Sequence, residues 1–572
     1  MTSTRQNAFY IMTFTPLWGD VIGHLSQAHG FEPALYVGLP LPAEPDSKLC
    51  KTPFYHVNDA RLGKAPVHIP AFKPSAIDPA CINSFAQEQA ILMEMMSRYT
   101  LGKQDGSFHQ RRQYLWELYR IWEGLFDSLK PDVVISASMP HRIFDYLVYL
   151  ICQKRSIPFI ALECTSIPHL VYSSSSITDP PAPFDAKYFT GQSLPPLSPE
   201  TLHYFENIKN PSPDYKPVYH SLKGLFSVHR NKKAQNPLRA FYEKLPQPLQ
   251  ILILFLKLLP SGALQKKLGT VFTFGPEDRF ESNAAREGTV FQNLLLTLKT
   301  YFIVTKAEGW YKRNTVPLDT NKPYIYFPAN FQPERSTVPD AGQYFDFPLL
   351  FSMLEKAIPQ DWNIYYKEHP RSFRKPIDPD NPRDTDFFLR LQKACPRIQF
   401  IDIAESGVTL IQHAKAIATA RGTTGWEALC RGKPVILFGD YWYGRCAGVA
   451  KINSLEDLKQ AVSAIRKNPE IPESSLISYL QRVESISTDL TYYYKDNVEE
   501  RARLTKNQPR TFTSEEQIFR ADFSKKMGDY IAYALQKRCH PERSEGSLSV
   551  RESSALPQND TTTKQAGGRI SS

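Results

Sequence analysis

The sequence contains no C-x-x-C pair. Its eight cysteines (Cys50, Cys81, Cys152, Cys164, Cys395, Cys430, Cys446 and Cys539) are scattered, with no compact histidine–cysteine cluster beside them. That spacing gives no support to a zinc or redox-motif protein. Scattered thiols in a long chain suit a reducing compartment, where most simply pack in cores. The N-terminus lacks a basic region, a long apolar stretch and a small-residue cleavage site, so no signal peptide is expected. The most apolar run, Leu249–Leu259, is about half of the ~20 residues a membrane span needs. No repeat of solenoid period is visible. These absences point to a protein of the cytosol or of a membrane surface.

Positive charge is in excess, but it is not spread out. The formal net charge of the 572-residue chain is +10. Ten Lys or Arg fall between Lys216 and Lys267 against one acid, Glu243, and the rest of the chain is close to neutral. A surface basic all over, as a nucleic-acid binder has, is thereby excluded. The segment 216–267 reads in three ways. It can dock on an anionic membrane surface, with Leu249–Leu259 as apolar contact. It can be a helical insertion with its apolar side packed on the protein, or a guide for a polyanionic acceptor.

The first ~190 residues alternate β-rich runs (Phe9–Thr15, Ala34–Leu39, Asp132–Ser138, Pro158–Cys164) with helical patterns. In the best of these, Leu115, Leu118, Tyr119, Trp122, Phe126 and Leu129 recur at three- and four-residue steps. A second alternating block begins at Asn321, with strands at Tyr324–Ala329, Asn363–His369, Ile398–Ile403, Ala416–Arg421 and Pro434–Gly439. Helices are expected between them at about Gln343–Ala357, Ser406–His413 and Gly425–Arg431. Such spacing predicts parallel sheets wound by helices. The expected organisation is a Rossmann-like unit over 1–195 and a proline-dense linker with a basic helical segment over 196–320. A second Rossmann-like unit follows over 321–470, then C-terminal helices over 471–538 and a disordered tail over 539–572. The tail is rich in Ser, Thr, Gly, Gln and Asn, and cannot bury enough apolar surface to order itself. Its run His540–Ser547 resembles the translated form of a bacterial intergenic repeat. The fold class is therefore α/β: two Rossmann-like domains facing a cleft (GT-B-like), with a helical basic insertion and the tail.

Three loops carry candidate chemistry. The first is Ala420-Arg-Gly-Thr-Thr-Gly-Trp-Glu-Ala-Leu429, a strand, a small-residue turn and a helix start. Free amides at a helix start favour phosphate. Thr423 or Thr424 can cap the helix, Gly422 and Gly425 let a ligand approach, and Glu427 can accept from a ribose. A purely structural cap, dipole and core role for the same residues stands beside that reading. The second is Tyr365-Tyr-Lys-Glu-His-Pro370: on a strand Lys367 and His369 share a face, at the carboxyl edge where open α/β sheets bind ligands. Lys367 supplies charge, and His369 a donor or general acid to the leaving nucleotide. The third loop holds Gln332, Glu334 and Arg335, which can meet a sugar or base or serve as turn residues.

In that order the Phe-Gln-Pro-Glu-Arg-Ser, Lys-Glu-His-Pro, Gly-Thr-Thr-Gly-Trp-Glu-Ala-Leu and Gly-Lys-Pro-Val segments resemble the bacterial capsule polysaccharide biosynthesis family. That family is related to GT-B transferases using CMP-activated acidic sugars such as Kdo or sialic acid. The resemblance covers 324–442 well and the N-terminal half loosely. It implies that His369, Thr423 and Thr424 hold a donor phosphate, that the partners are a nucleotide-sugar donor and a glycan or glycolipid acceptor, and that nucleic acid is not one. It places the protein in the cytoplasm, peripheral on the inner membrane if 216–267 docks there.

A catalytic base or nucleophile should then come from the N-terminal half. Two pairs have the spacing: Asp20 with His24, and His141 with Asp145, each four apart. A carboxylate can orient the imidazole as a base, or an Asp can act as nucleophile; each pair can equally be a helix-start ion pair or cap. No cofactor is expected, and no metal, since Lys, His and a helix start can neutralise the phosphate and no D-x-D sits at a strand edge. The expected function is a GT-B glycosyltransferase moving a sugar, by preference from a CMP-linked donor, to a surface polysaccharide or glycolipid. The alternatives are a nucleotide-sugar epimerase on the same fold and a non-catalytic scaffold of a capsule assembly complex.

Overall fold

A computed structural model describes residues 5–13, 16–39, 51–69, 72–77, 79–96, 107–167, 170–177, 193–211, 249, 290–332, 334–373, 383–467, 470–489 and 514–539. Apart from Leu249, the basic segment 216–267 lies outside the described residues, as does the expected tail beyond Cys539. Among the described residues no helix is long and apolar enough to cross a membrane.

The N-terminal body begins β1 (Gln6–Thr13), α1 (Pro16–His29), β2 (Phe31–Gly38), β3 (Phe54–His56) and α2 (Val57–Leu62). It continues α3 (Pro79–Ser84), α4 (Ala86–Met95), α5 (Phe108–Leu129), β4 (Val133–Ser136), α6 (Ile143–Arg155), β5 (Phe159–Cys164) and β6 (Leu170–Ser174). Ser107 starts α5 with a capping box, its hydroxyl accepting from the Gln110 amide while Gln110 accepts from its own. The expected apolar stripe of α5 is buried, with Leu118 and Trp122 wholly so. Strands β1, β2, β3, β4 and β5 are mutually parallel; β6 turns back antiparallel on β5.

After α7 (Pro199–Lys209), the second body comprises α8 (Val290–Arg313), β7 (Tyr324–Pro328), α9 (Phe347–Ala357), β8 (Asn363–Lys367), α10 (Thr385–Ala394), β9 (Ile398–Phe400) and α11 (Gly407–His413). It is completed by β10 (Ala416–Thr419), α12 (Thr423–Cys430), β11 (Val435–Leu437), β12 (Val449–Lys451) and α13 (Leu455–Arg466). All six strands are parallel, in the order β12-β11-β10-β7-β8-β9. The α/β class with two Rossmann-like bodies is thus present. Chain order reverses between β7 and β10 here, and between β1 and β4 in the other sheet. Those two reversals are where an open α/β sheet leaves a crevice at its carboxyl edge.

Several segments depart from the expected boundaries. The proline-dense stretch is not a bare linker: Phe205 and Ile208 of α7 enter a core shared with both bodies. Helix α8 belongs to the second body, through Val304, Ala307 and Tyr311. The chain then crosses back. Helix α14 (Glu473–Ile486) packs in the shared core, β13 (Thr488–Asp489) extends the first sheet beside β6, and α15 (Ser514–Cys539) buries Phe523, Met527, Ile531, Ala532 and Leu535 in the first body.

Both sheets turn their carboxyl edges toward each other across a buried ion network. Glu163, at the end of β5, is 3% exposed. Its carboxylate lies 2.6 Å from the Arg335 guanidinium, which follows β7, and 3.8 Å from Arg421, which follows β10. Asp340 pairs with both arginines, at 3.1 Å from Arg335 and in a short contact with Arg421. Burial alone pulls the guanidiniums down; Asp340 and Glu163 more than offset this, leaving both above their ordinary pKa. Removing one member strands the others in low dielectric. Glu163→Gln should therefore lower the unfolding free energy by about 3 kcal/mol, the lower end for a broken buried pair because Arg335 is partly exposed. Urea denaturation of the two proteins checks this.

Candidate functional site

The second body's switch point is flanked by the loops that follow β7 and β10, with the end of β8 on the other side of β7. Helix α12 starts there with Gly422 as its N-cap, and no side chain makes the capping hydrogen bond. This differs from the expectation that Thr423 or Thr424 caps. Both threonines lie inside the first turn, where their amides point out of the helix without an intrahelical acceptor. Gly425 is also not held open for a ligand. A Cβ there would lie 2.2 Å from the Tyr443 hydroxyl, which itself donates 2.5 Å to the Gly422 carbonyl. The tyrosine packs where a side chain would be.

The groove beside this turn is polar. A Cβ on Gly422 would lie 2.8 Å from Thr419 Oγ1 and 3.7 Å from Asn330 Nδ2. Asn330 joins the two loops, its amide donating to the Arg421 carbonyl at 3.0 Å. Thr419 Oγ1 and Asn330 Oδ1 are buried without a partner among the described residues. Buried polar atoms are nearly always satisfied, so two such atoms beside an uncapped helix start suit a polar ligand or ordered water.

At the end of β8 the backbone leaves the strand at Lys367, two residues earlier than expected, and Pro370–Phe373 forms a 3₁₀ turn. Glu368 turns inward and is fully buried. Its carboxylate pairs with Arg383 at 3.0 Å and accepts from the Tyr366 hydroxyl (2.8 Å), the Ser372 hydroxyl (2.9 Å) and the His369 amide (2.8 Å). That hub fixes the His-Pro turn. His369 Nδ1 accepts from the Arg371 amide at 3.1 Å, so a neutral ring carries its proton on Nε2. Lys367 donates 2.5 Å to the Glu405 carbonyl, and burial draws its pKa below the ordinary value, partly offset by Glu405 and Asp402.

The remaining expected donor residues are placed differently. Glu427 stands in the second turn of α12, 6% exposed and 3.5 Å from Arg431, instead of at the open helix start. Gln332 donates 2.7 Å to the Phe345 carbonyl and, with Arg383 and Glu94 of the first body, lines a cavity of about 310 Å³ away from the Thr423–Gly425 turn. Glu334 is exposed and its backbone holds a turn with Thr337.

In the first body the two expected pairs behave differently from each other. Asp20 and His24 do not pair: Asp20 meets Arg520 at 2.6 Å and His24 meets Asp529 at 2.7 Å, both on α15. The returning C-terminal helix takes that face of α1, which is why sequence spacing misled. His141 follows β4, at the other switch point. Asp145 does not orient its ring; the carboxylate is 1% exposed and caps the start of α6, accepting from the amides of Arg142 (2.7 Å) and His141 (3.2 Å). The His141 ring is instead oriented by the Met139 carbonyl, 3.0 Å from Nδ1, with Asp145 Oδ2 at 3.9 Å. A carbonyl only accepts, so Nδ1 carries the proton and Nε2 of a neutral ring carries the lone pair.

The residues that sequence reasoning missed are Glu163, Asp340, Glu368 and Arg383 with their partners, and the Thr419–Asn330 pair. The signal for them is weak: each is a single polar residue outside any recognisable spacing pattern, and Glu163 finds its partners 172 and 258 residues away.

Burial pushes the Asp145 carboxyl up to about 7, against the pull of Arg142 and the amides it accepts from. The folded protein therefore holds this proton more tightly than the unfolded chain. The stabilising contribution is fully present below the unfolded value of about 4 and is lost as pH rises to about 7. Its ceiling is about 4 kcal/mol. Urea midpoints measured from pH 4.5 to 7.5, in wild type and Asp145→Asn, should show that extra loss only in wild type.

Comparison with known proteins bears on the second body. Residues 297–483 match the profile of the family described as capsule polysaccharide biosynthesis protein. No curated protein matches the chain. Similar solved structures include two KpsC structures from Thermosulfurimonas dismutans. The β-Kdo 2,7 transferase is 13% identical, with 65% of this chain and 90% of that chain covered and a TM-score of 0.24. The β-Kdo 2,4 transferase is 15% identical, with 61% and 87% covered and a TM-score of 0.23. The UDP-GlcNAc 2-epimerase of Neisseria meningitidis is 10% identical, with 88% and 100% covered and a TM-score of 0.19. At such scores these likenesses carry no weight for the activity. The loops containing Gln332, His369 and Thr423 all fall inside the matched stretch.

Proposed function

We propose that the protein is a glycosyltransferase that takes a sugar from a nucleotide-activated donor and transfers it to a glycan or glycolipid of a bacterial capsule. The observation that carries this reading is the uncapped start of α12 beside two buried, unsatisfied polar atoms, Thr419 Oγ1 and Asn330 Oδ1. It lies at a strand-order reversal whose neighbouring strand ends at Lys367, with His369 in the turn that follows. A helix start offers amides and a positive dipole end to phosphate. Lys367 adds charge, and His369 offers Nε2–H to an oxygen of the departing nucleotide.

The acceptor's proton needs a base on the opposite edge. His141 supports that role, since its Nδ1–H bond to Met139 leaves the lone pair on Nε2. A CMP-linked acidic sugar is the preferred donor, on the motif resemblance alone. The activity places the protein in the cytoplasm, where nucleotide-sugars are made, and residues 216–267 would hold it at the membrane.

Thermal unfolding with CMP, CDP, UDP and GDP tests the reading. One nucleotide should raise Tm, by mass action on a folded-state site, and His369→Ala and Lys367→Ala should abolish the rise. If millimolar concentrations of all four leave Tm unchanged, the donor site is wrong. With the matching sugar nucleotide, His141→Ala should lower kcat by about 10²–10⁴-fold while nucleotide binding is retained; unchanged kcat would remove His141 as the base.

A further inference from the structure

We propose that His24, His29 and Asp529 form a binding site for a divalent transition-metal ion of the zinc type, which fastens the last helix of the described chain to the first. The site lies on the outer side of the first body and is independent of the donor-site reading.

The geometry is that of three ligands already converged. His24 Nε2 and His29 Nε2 each lie 2.7 Å from the same oxygen, Asp529 Oδ1. All three donor atoms fall within 4.8 Å of one another. The two rings are edge to face with centroids 5.4 Å apart, so their Nε2 atoms meet without the rings stacking. Two imidazoles and one carboxylate are a borderline-soft set that suits zinc and its neighbours over magnesium or calcium, which prefer oxygen.

The surrounding structure holds this arrangement. Gly528, next to Asp529, forms a notch for the His24 ring: a Cβ there would lie 2.7 Å from His24 Cδ2 and 3.7 Å from Leu25 Cγ. Met527 and Ile531 anchor that turn of α15 in the core, and Leu25 anchors α1. A second tie, Arg520 to Asp20, fixes the helix pair one to two turns away along α1 and further along α15. The ligands remain reachable: the histidine side chains are 21% exposed and the Asp529 side chain 46%.

The chemistry balances without any other reactant. With the carboxylate accepting from both rings, each neutral imidazole carries its proton on Nε2. Binding an ion needs each proton on Nδ1 and the lone pair on Nε2, a tautomer change with no net proton release. Zinc–ligand bonds of about 2.0–2.2 Å in a tetrahedron put donor atoms about 3.3 Å apart. The present 2.7 Å then opens by about half an ångström, a change that the half-exposed Asp529 side chain can supply by rotation. The fourth position faces solvent and takes water. Because the ligands come from residues 24 and 29 on one helix and 529 on another, binding closes nearly the whole chain into a loop and stabilises only the folded state.

The test uses the full-length, untagged protein, stripped with chelator and dialysed. Zn²⁺ should raise Tm by several degrees and Mg²⁺ should not. Co²⁺ should give the visible absorption bands of a four-coordinate site. Asp529→Asn keeps an acceptor for both rings but removes the charged ligand. It should retain the fold by circular dichroism and bind Zn²⁺ at least about tenfold more weakly. The His24→Ala/His29→Ala double variant should lose the Co²⁺ bands. No shift with Zn²⁺, or Co²⁺ bands that persist unchanged in folded Asp529→Asn, would overturn the proposal; the second result would place the ion elsewhere on the surface.

Discussion

Everything at the cleft depends on the ion network of Glu163, Arg335, Asp340 and Arg421. The two bodies share an apolar core through α7 and α14, but apolar packing alone does not require that particular residues of their carboxyl edges meet. Glu163 makes that requirement, because a carboxylate 3% exposed at the end of β5 needs cations that only the second body's loops provide. The arginines that answer it sit in the loops after β7 and β10, on either side of the strand-order reversal. One network therefore ties the two loops that frame the Thr423–Gly425 turn to the first body. The desolvation cost of such a network is high, and its value is in specifying one mutual orientation.

The division of labour inside the second body follows from the same logic. Residues next to one another in the motifs do unlike things. Glu368 is a buried hub that shapes the His-Pro turn, while its neighbours Lys367 and His369 stay at the edge. Gly425 makes room for Tyr443, while Gly422 occupies the N-cap and leaves the helix start uncapped. On this arrangement the site is supported from behind by Tyr311, which bridges the ends of β8 and β9, donating 2.7 Å to the Ile401 carbonyl while accepting from the Glu368 amide. A buried support of this kind holds the turn that carries His369 in one conformation.

Two histidines in the loops at the carboxyl edges of the two sheets hold opposite tautomers. A backbone amide donates to His369 Nδ1, and a backbone carbonyl accepts from His141 Nδ1. Backbone groups set both tautomers, while Asp145 is committed to capping α6. The C-terminal helix has a separate task. It packs on the first body against α1, where its Arg520 and Asp529 occupy Asp20 and His24.

Much of this was legible before any coordinates. β-rich runs and three-to-four residue patterns marked both α/β bodies, because burial on both strand faces and on one helix stripe leaves a local trace. The resemblance of the loops around Gln332, His369 and Thr423 to one family was also local, and the family profile covers the same stretch. What the sequence could not determine were pairings between residues hundreds of positions apart: Glu163 with Arg421, His24 with Asp529, Glu484 of α14 with Ser198 at the start of α7. Spacing predicts partners only along one element, where the backbone sets the distance. Whether Asp20 faces His24 or Arg520, and whether Asp145 orients a ring or caps a helix, is decided by which other element packs there. Only the tertiary structure carries that information.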